Sequence, residues 1–193
     1  MVMLKERARR QQETRRRIVE ATVDLHREVG PSQTTVAEIA RRAGVGRVTV
    51  YNHFPDEGSL LGACSALFVA HHPPPDPTTW QDVADPQARL RAALGELYAY
   101  FRDNEAMIAN VTRDAALLPA LAEVLGAPEA TAHEQAMRIT LLAGRNLDGA
   151  RHARLQAAIG LALAFPTWQR LTRHEELSDQ AAVEVMAGAV EAV

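Results

Sequence analysis

The chain has one cysteine in 193 residues, Cys64, which excludes an internal disulfide. It shows neither a signal-peptide pattern nor a long uninterrupted apolar span, so a soluble, cytoplasmic protein with no membrane partner is expected. Alternating strand runs and internal repeats are missing too, which leaves an all-α fold. There is no glycine-rich phosphate loop and no nucleophile elbow. The histidines His71, His72, His133, His152 and His174 lack the paired spacing of a zinc site. An enzyme, a cofactor and a bound metal are therefore not expected. The net charge of −3 argues against a general nucleic-acid coat protein.

The charge is unevenly placed. Residues 1–54 hold 11 Lys and Arg against 6 Asp and Glu, while the rest hold 10 against 18. Lys5, Arg7, Arg9, Arg10, Arg15, Arg16 and Arg17 form a basic N-terminal arm suited to phosphates. The arm runs into a helix expected from about Gln12 to Val29, with Ile18, Ala21, Thr22, Leu25 and Val29 on one face. Gly30 and Pro31 end it.

The most informative stretch follows, TTVAEIARRAGVGRVTVYNHFPDEGSLL, from Thr34 to Leu61. Thr35 and Glu38 have the spacing of a capping box, and Val36, Ile39, Ala40 and Ala43 recur at helical intervals. Gly44 permits a sharp turn, and Val45 plugs the angle between two helices. On the second helix Val50 and Phe54 face inward together, leaving Arg47, Val48, Thr49, Tyr51, Asn52 and His53 over the remaining arc. Such a helix fits a major groove: Arg47 is suited to guanine, Asn52 to adenine, and Val48 or Tyr51 to a thymine methyl. Thr49, Tyr51 and His53 can equally donate to phosphates. An ordinary helical hairpin with a solvated face would share the glycine turn, but it leaves unexplained why no acidic residue neighbours Tyr51.

With its basic first helix, TTVAEIARRAGV and TVYNHFPDEGSLL, the chain resembles the tetracycline-repressor (TetR/AcrR) family of bacterial transcription regulators. The motif detail covers the first third of the chain, and the remainder matches in length and helical layout. The resemblance implies a homodimer, a recognition helix at Arg47 to Phe54, and a C-terminal domain that senses a small molecule. By position it places Thr35, Thr49, Tyr51 and His53 on or near the DNA backbone, with Thr34 beside them, and Arg47, Val48 and Tyr51 near base edges. Two departures stand out. Glu57, beside Asp56, occupies the start of the fourth helix where the family usually has a lysine, and Gly46 stands where it commonly has a serine cap.

The expected architecture is a three-helix helix-turn-helix head, residues 1–54, on a larger helical ligand-binding and dimerisation domain, residues 55–193, with about nine helices in all. A linking helix is expected over about 57–70, with Cys64 packed on its apolar side or, alternatively, serving as a thiol sensor. The loop HHPPPDPTTW breaks the pattern at 71–80. Asp85 and Pro86 open the next helix. Shorter helices are expected at about 105–111 and 115–125, and another from Pro128 to about Ala143, ended by a loop from Gly144 to Gly149. Helices at about 150–172, kinked by Pro166, and 178–192 carry small apolar residues on more than one side. That suits a dimer interface, with an intramolecular core as the competing reading.

A ligand cavity would draw on Tyr98, Phe101, Met107, Met137, Phe165 and Trp168, with Asn110, Arg113 or His133 as polar anchors. The same residues also suit plain core. Together these features point to a ligand-responsive repressor that binds a palindromic double-stranded DNA operator as a dimer and is released by a small molecule. The alternatives are a small-molecule-binding protein or enzyme whose head contacts protein, and a sequence-blind architectural DNA protein. Because Glu57 would repel phosphates, Glu57→Lys is expected to tighten duplex binding in a titration at fixed salt. An unchanged or weaker affinity would show that the carboxylate does not face the backbone.

Overall fold

The computed structural model describes residues 2–145 and 148–193, and among them every regular element is helical. Asn146 and Leu147, in the loop expected between Gly144 and Gly149, lie outside the described residues. Eleven α-helices are present among the described residues, where about nine were expected. The surplus arises where proline punctuates the pattern. Pro166, with no N–H to donate, breaks the expected 150–172 helix in two rather than kinking it, whereas the helix opened by Pro119 is the one expected over about 115–125. None of the described helices is long and apolar enough to cross a membrane.

The chain divides into two compact units. The first runs up to Pro73 and takes in Ala106–Ala127; the second comprises Pro74–Glu105 and Pro128–Val193. In the first unit α1 (Val2–Glu28) is helical from its start, so the basic arm is itself helix. Its charge order explains this: Glu6 pairs with Arg9 and Arg10, and Arg16 with Glu13 and Glu20, at three- and four-residue spacing. Gly30, at φ 94°, ends the run, and a short 3-10 turn at Pro31–Gln33 leads to α2 (Val36–Ala43). Gly44 adopts the left-handed conformation, φ 66°, before α3 (Arg47–His53) and α4 (Glu57–His71). These helices share a buried cluster that includes Ile18, Leu25, Ile39, Val50, Phe54 and Cys64. Two further helices, α6 (Glu105–Asp114) and α7 (Pro119–Leu125), complete the unit, with Met107 of α6 buried in the same cluster.

The second unit is built on α5 (Pro86–Asp103), which buries Leu90, Ala93, Leu94, Leu97, Tyr98 and Phe101 along adjacent helical rows. Asp85 accepts from the Ala88 N–H at 2.8 Å and Pro86 occupies the first turn, as their order implies. Around α5 lie α8 (Pro128–Leu142), α9 (Gly149–Leu163), α10 (Phe165–Gln169) and α11 (Asp179–Glu191). The buried guanidinium of Arg89 donates to the carbonyls of Thr140 and Ala143, satisfying the C-terminal end of α8. Ala182, Val183, Met186, Ala187 and Val190 of α11 are buried inside this unit, so intramolecular packing takes that face.

His26, on α1, is buried in the first unit, and burial pushes its imidazole down to about 4 from 6.5 against the opposing pull of Asp114. Protonation is thus harder in the folded chain than in the unfolded one. The first unit is expected to be fully stabilised by this group above about pH 6.5 and to lose that contribution as the pH falls toward 4. Urea unfolding at about pH 7 and about pH 4.5 checks this, because His26→Gln should flatten the dependence over that window. An identical slope in the variant would assign the titration to other groups.

Candidate nucleic-acid interface

The geometry of α3 is set from both ends. Val45 donates its N–H to the Ala40 carbonyl at 2.9 Å, closing the turn after α2. At the C-terminal end, Arg15 of α1 donates to the His53 carbonyl at 2.8 Å and stacks over the Phe54 ring at 4.0 Å. Arg15 reads in the sequence as one of the cations of the basic arm, and nothing in its local pattern reveals this long-range partner. Between these ends Val50 and Phe54 are buried. Arg47, Val48, Tyr51 and Asn52 are exposed, Val48 at 72% and Tyr51 at 56%, while Thr49 and His53 are half-buried. A convex arc of one cation, one amide, two apolar edges and two further donors therefore faces away from the core.

The two threonines before α2 differ in what they can offer. Thr35 Oγ1 accepts from the Glu38 N–H at 3.2 Å, so its own proton is free for an acceptor outside. Thr34 Oγ1 gives its proton to the Gly30 carbonyl at 2.8 Å, which makes it a brace of the turn. The capping box is half formed, because the Glu38 carboxylate turns to Arg41. At the start of α4 Asp56 Oδ1 accepts from the Ser59 N–H at 2.7 Å and serves as N-cap, with Glu57 exposed beside it. The N-cap of α3 is Gly46, which offers no side-chain acceptor.

Charge on this unit is more selective than composition implies. Arg9, Arg10, Arg16, Arg41 and Arg42 each pair with a glutamate, whereas Lys5, Arg7, Arg17 and Arg47 have no ion-pair partner among the described residues. Exposed pairs of this kind contribute little and exchange readily for phosphate. Cys64 is buried and its thiol is pushed up to about 12 by burial, so it stays protonated at neutral pH.

The residues considered for a cavity separate into two groups. Met107, Asn110 and Arg113 lie in the first unit, where Met107 joins the buried cluster and the other two bond to the end of α1. In the second unit Phe101, Phe165 and Trp168 pack ring against ring at 5.4 to 6.0 Å between centroids. The Tyr98 hydroxyl donates to the Ala162 carbonyl and the Trp168 Nε1 to Asp179, each at 3.0 Å. Met137 is buried, and half-buried His133 has an Nε2 with no partner among the described residues. The four aromatics thus form a core cluster.

Comparison with known proteins agrees with the head. Residues 18–64 match the family model of bacterial regulatory proteins of the tetR family. A curated relative, the HTH-type transcriptional regulator BetI of Yersinia pestis (strain Pestoides F), is 35% identical over 80 residues, and the match spans 40% of this chain and 40% of that relative. Among solved structures, a transcriptional regulator from Rhodococcus sp. RHA1 is 25% identical with a TM-score of 0.59, over 91% of this chain and 95% of the other. A TetR-like transcriptional regulator from the same organism has the same fold at a TM-score of 0.64 and 16% identity, covering 92% of this chain and 93% of that one.

The contact made by Arg15 gives a direct test. Arg15→Ala is expected to lower the stability of the first unit by about 1 kcal/mol. It should also speed amide exchange at Phe54, whose N–H closes the last turn of α3 on Val50 at 2.9 Å. Unchanged exchange would mean that α3 holds its end without the guanidinium.

Proposed function

We propose that this chain, whose residues 18–64 match the tetR family of bacterial regulatory proteins, is a ligand-responsive transcriptional regulator. It binds a palindromic operator as a homodimer and releases it when a small molecule is bound. The observation that carries this reading is the outward arc of α3, where Arg47, Val48, Tyr51 and Asn52 are exposed together with no acidic side chain among them. Arg47 serves guanine and Asn52 adenine, with Val48 and Tyr51 against a thymine methyl. Thr35, Thr49 and His53 serve the backbone, and Thr34 holds the turn beneath them.

Pairing follows from the second unit. Ile139 of α8 is 60% exposed and Leu161 of α9 is 59% exposed. A groove of about 700 Å³ lies between these two helices, lined by Gln135, Ile139, Leu142 and Ala157 among others. A second copy covers this face, which accounts for large apolar side chains left in water. Paired heads then meet half-sites about 34 to 36 Å apart, or a multiple of that. The effector is assigned to the second unit, where His133 Nε2 is the unpartnered buried polar atom among the nine candidate residues.

Mobility shifts with random and palindromic duplexes over a salt series test the reading. Selective binding that weakens with salt is expected, and Arg47→Ala should cost about 1 to 3 kcal/mol and relax selectivity. Equal affinity for every duplex would favour an architectural protein. No binding at low ionic strength would sink the DNA-binding function altogether.

A further inference from the structure

We propose that Asp114, at the end of α6, is a positioning residue for duplex binding: it pins the turn between α1 and α2 and so aims the Thr35 hydroxyl at the phosphate backbone. The proposal rests on the DNA-binding reading above and adds a residue remote in sequence from the helix-turn-helix.

One face of α6 is built for this task. Met107, Asn110, Val111 and Asp114 recur at intervals of three and four, which aligns them on a single stripe. Met107 is buried in the cluster of the first unit, with Val111 packed against it. Asn110 Nδ2 donates to the His26 and Arg27 carbonyls at 3.0 and 2.9 Å, two groups that the end of α1 leaves without helical partners. Arg113 Nη2 reaches the Val29 carbonyl at 3.3 Å, two residues further along. Asp114 then takes the Ser32 N–H at 2.9 Å in the middle of the 3-10 turn.

The close approach is specific. Asp114 is 0% exposed, and its charge is met by the Arg113 Nε at 2.7 Å. A buried carboxylate is tolerated only when so partnered. A Cβ added to Gly30 would lie 2.3 Å from Arg113 Nη2 and 2.5 Å from Asp114 Oδ2, so the turn passes where a side chain would collide. Among the described residues, no side chain from outside the turn other than Arg113 and Asp114 hydrogen-bonds to the backbone of 29–34. From Ser32 the hold passes to Thr34, which bonds to Pro31 and Gly30, and then to Thr35 at the cap of α2. Loss of the Asp114 acceptor frees the segment that carries Thr35 while leaving α3 on its own buried side chains.

Fluorescence anisotropy with a bound duplex at fixed salt tests this as a double-mutant cycle on the full chain, with helical content followed by circular dichroism. Asp114→Ala is expected to weaken binding about tenfold with helical content unchanged, and Asp114→Asn, which keeps an acceptor for Ser32, to restore most of it. The loss caused by Thr35→Val should nearly vanish in the Asp114→Ala background, while the loss caused by Arg47→Ala should persist in full. Wild-type affinity in Asp114→Ala, equal Thr35→Val losses in both backgrounds, or an Asp114→Asn no better than alanine would each overturn the proposal. Should Asp114→Ala lose helical content, the cycle is read on Asn110→Ala, which frees the end of α1 and also removes the acceptor that steadies Arg113 Nη1 beside Asp114 at 2.8 Å, and additivity there overturns it as well. Failure of this proposal alone would leave wild-type binding and the Arg47→Ala loss intact; absence of both would overturn the DNA-binding reading and this proposal with it.

Discussion

A seven-residue helix cannot keep its shape in water, since isolated helices below about 12 to 15 residues are marginal. The order of α3 therefore depends on burying Val50 and Phe54 in the cluster that Ile18 and Leu25 of α1 supply. The outward arc is a by-product of that inward anchoring: because Val50 and Phe54 are four apart, the residues between and beside them must point away. Arg15 reinforces the same dependence, since it joins α1 to the last carbonyl of α3 and covers the Phe54 ring. Any account of recognition by this chain must pass through α1 before it reaches Arg47.

The charge pattern is governed by the same helix. Composition gives the first 54 residues a clear positive excess, yet many of those arginines sit one turn from a glutamate. Such pairs stabilise α1 as a helix without removing its capacity to meet phosphates, because exposed ion pairs are weak and screened. Lys5, Arg7, Arg17 and Arg47 remain unpaired among the described residues, so they are available without first giving up a partner. The first unit thus carries two classes of cation rather than one uniform patch.

Local chemistry was legible in the sequence. Thr35, Asp56 and Asp85 cap the helices their positions imply, Gly30 and Gly44 adopt positive φ, and the inner face of α3 is the one its spacing predicts. What periodicity cannot say is which neighbour a face meets. Met107, Asn110 and Arg113 read as cavity residues because an apolar and polar mixture on a middle helix suits a pocket, but they engage α1 and the turn after it. Nothing in its own pattern marks Arg89, which is buried on the carbonyls at the end of α8. Pro166 reads as a kink, whereas Ala164, two residues before it, adopts an extended conformation, ψ 129°, and interrupts the helix outright. Each of these depends on contacts more than a dozen residues apart or on how far a chain break propagates, and neither is encoded in spacing. The division of charge near Phe54 is likewise one of chemistry, since α4 and α7 pack in the same compact unit as α1 to α3.

The apolar surplus of the later helices can be partitioned on the same grounds. On α11 the larger side chains are consumed by α5, so that helix has little left to offer beyond small residues and Val185. On α9, Leu155 and Ile159 turn inward while Ala150, Ala153, Ala157 and Leu161 remain outside at helical spacing. Small residues on an outward stripe allow two helix backbones to approach closely, and Leu161 stands exposed at its end. Besides the face it turns to the core, α11 keeps its own outward stripe of Val185, Gly188, Ala189 and Ala192, so the two helices present small apolar residues in the same way.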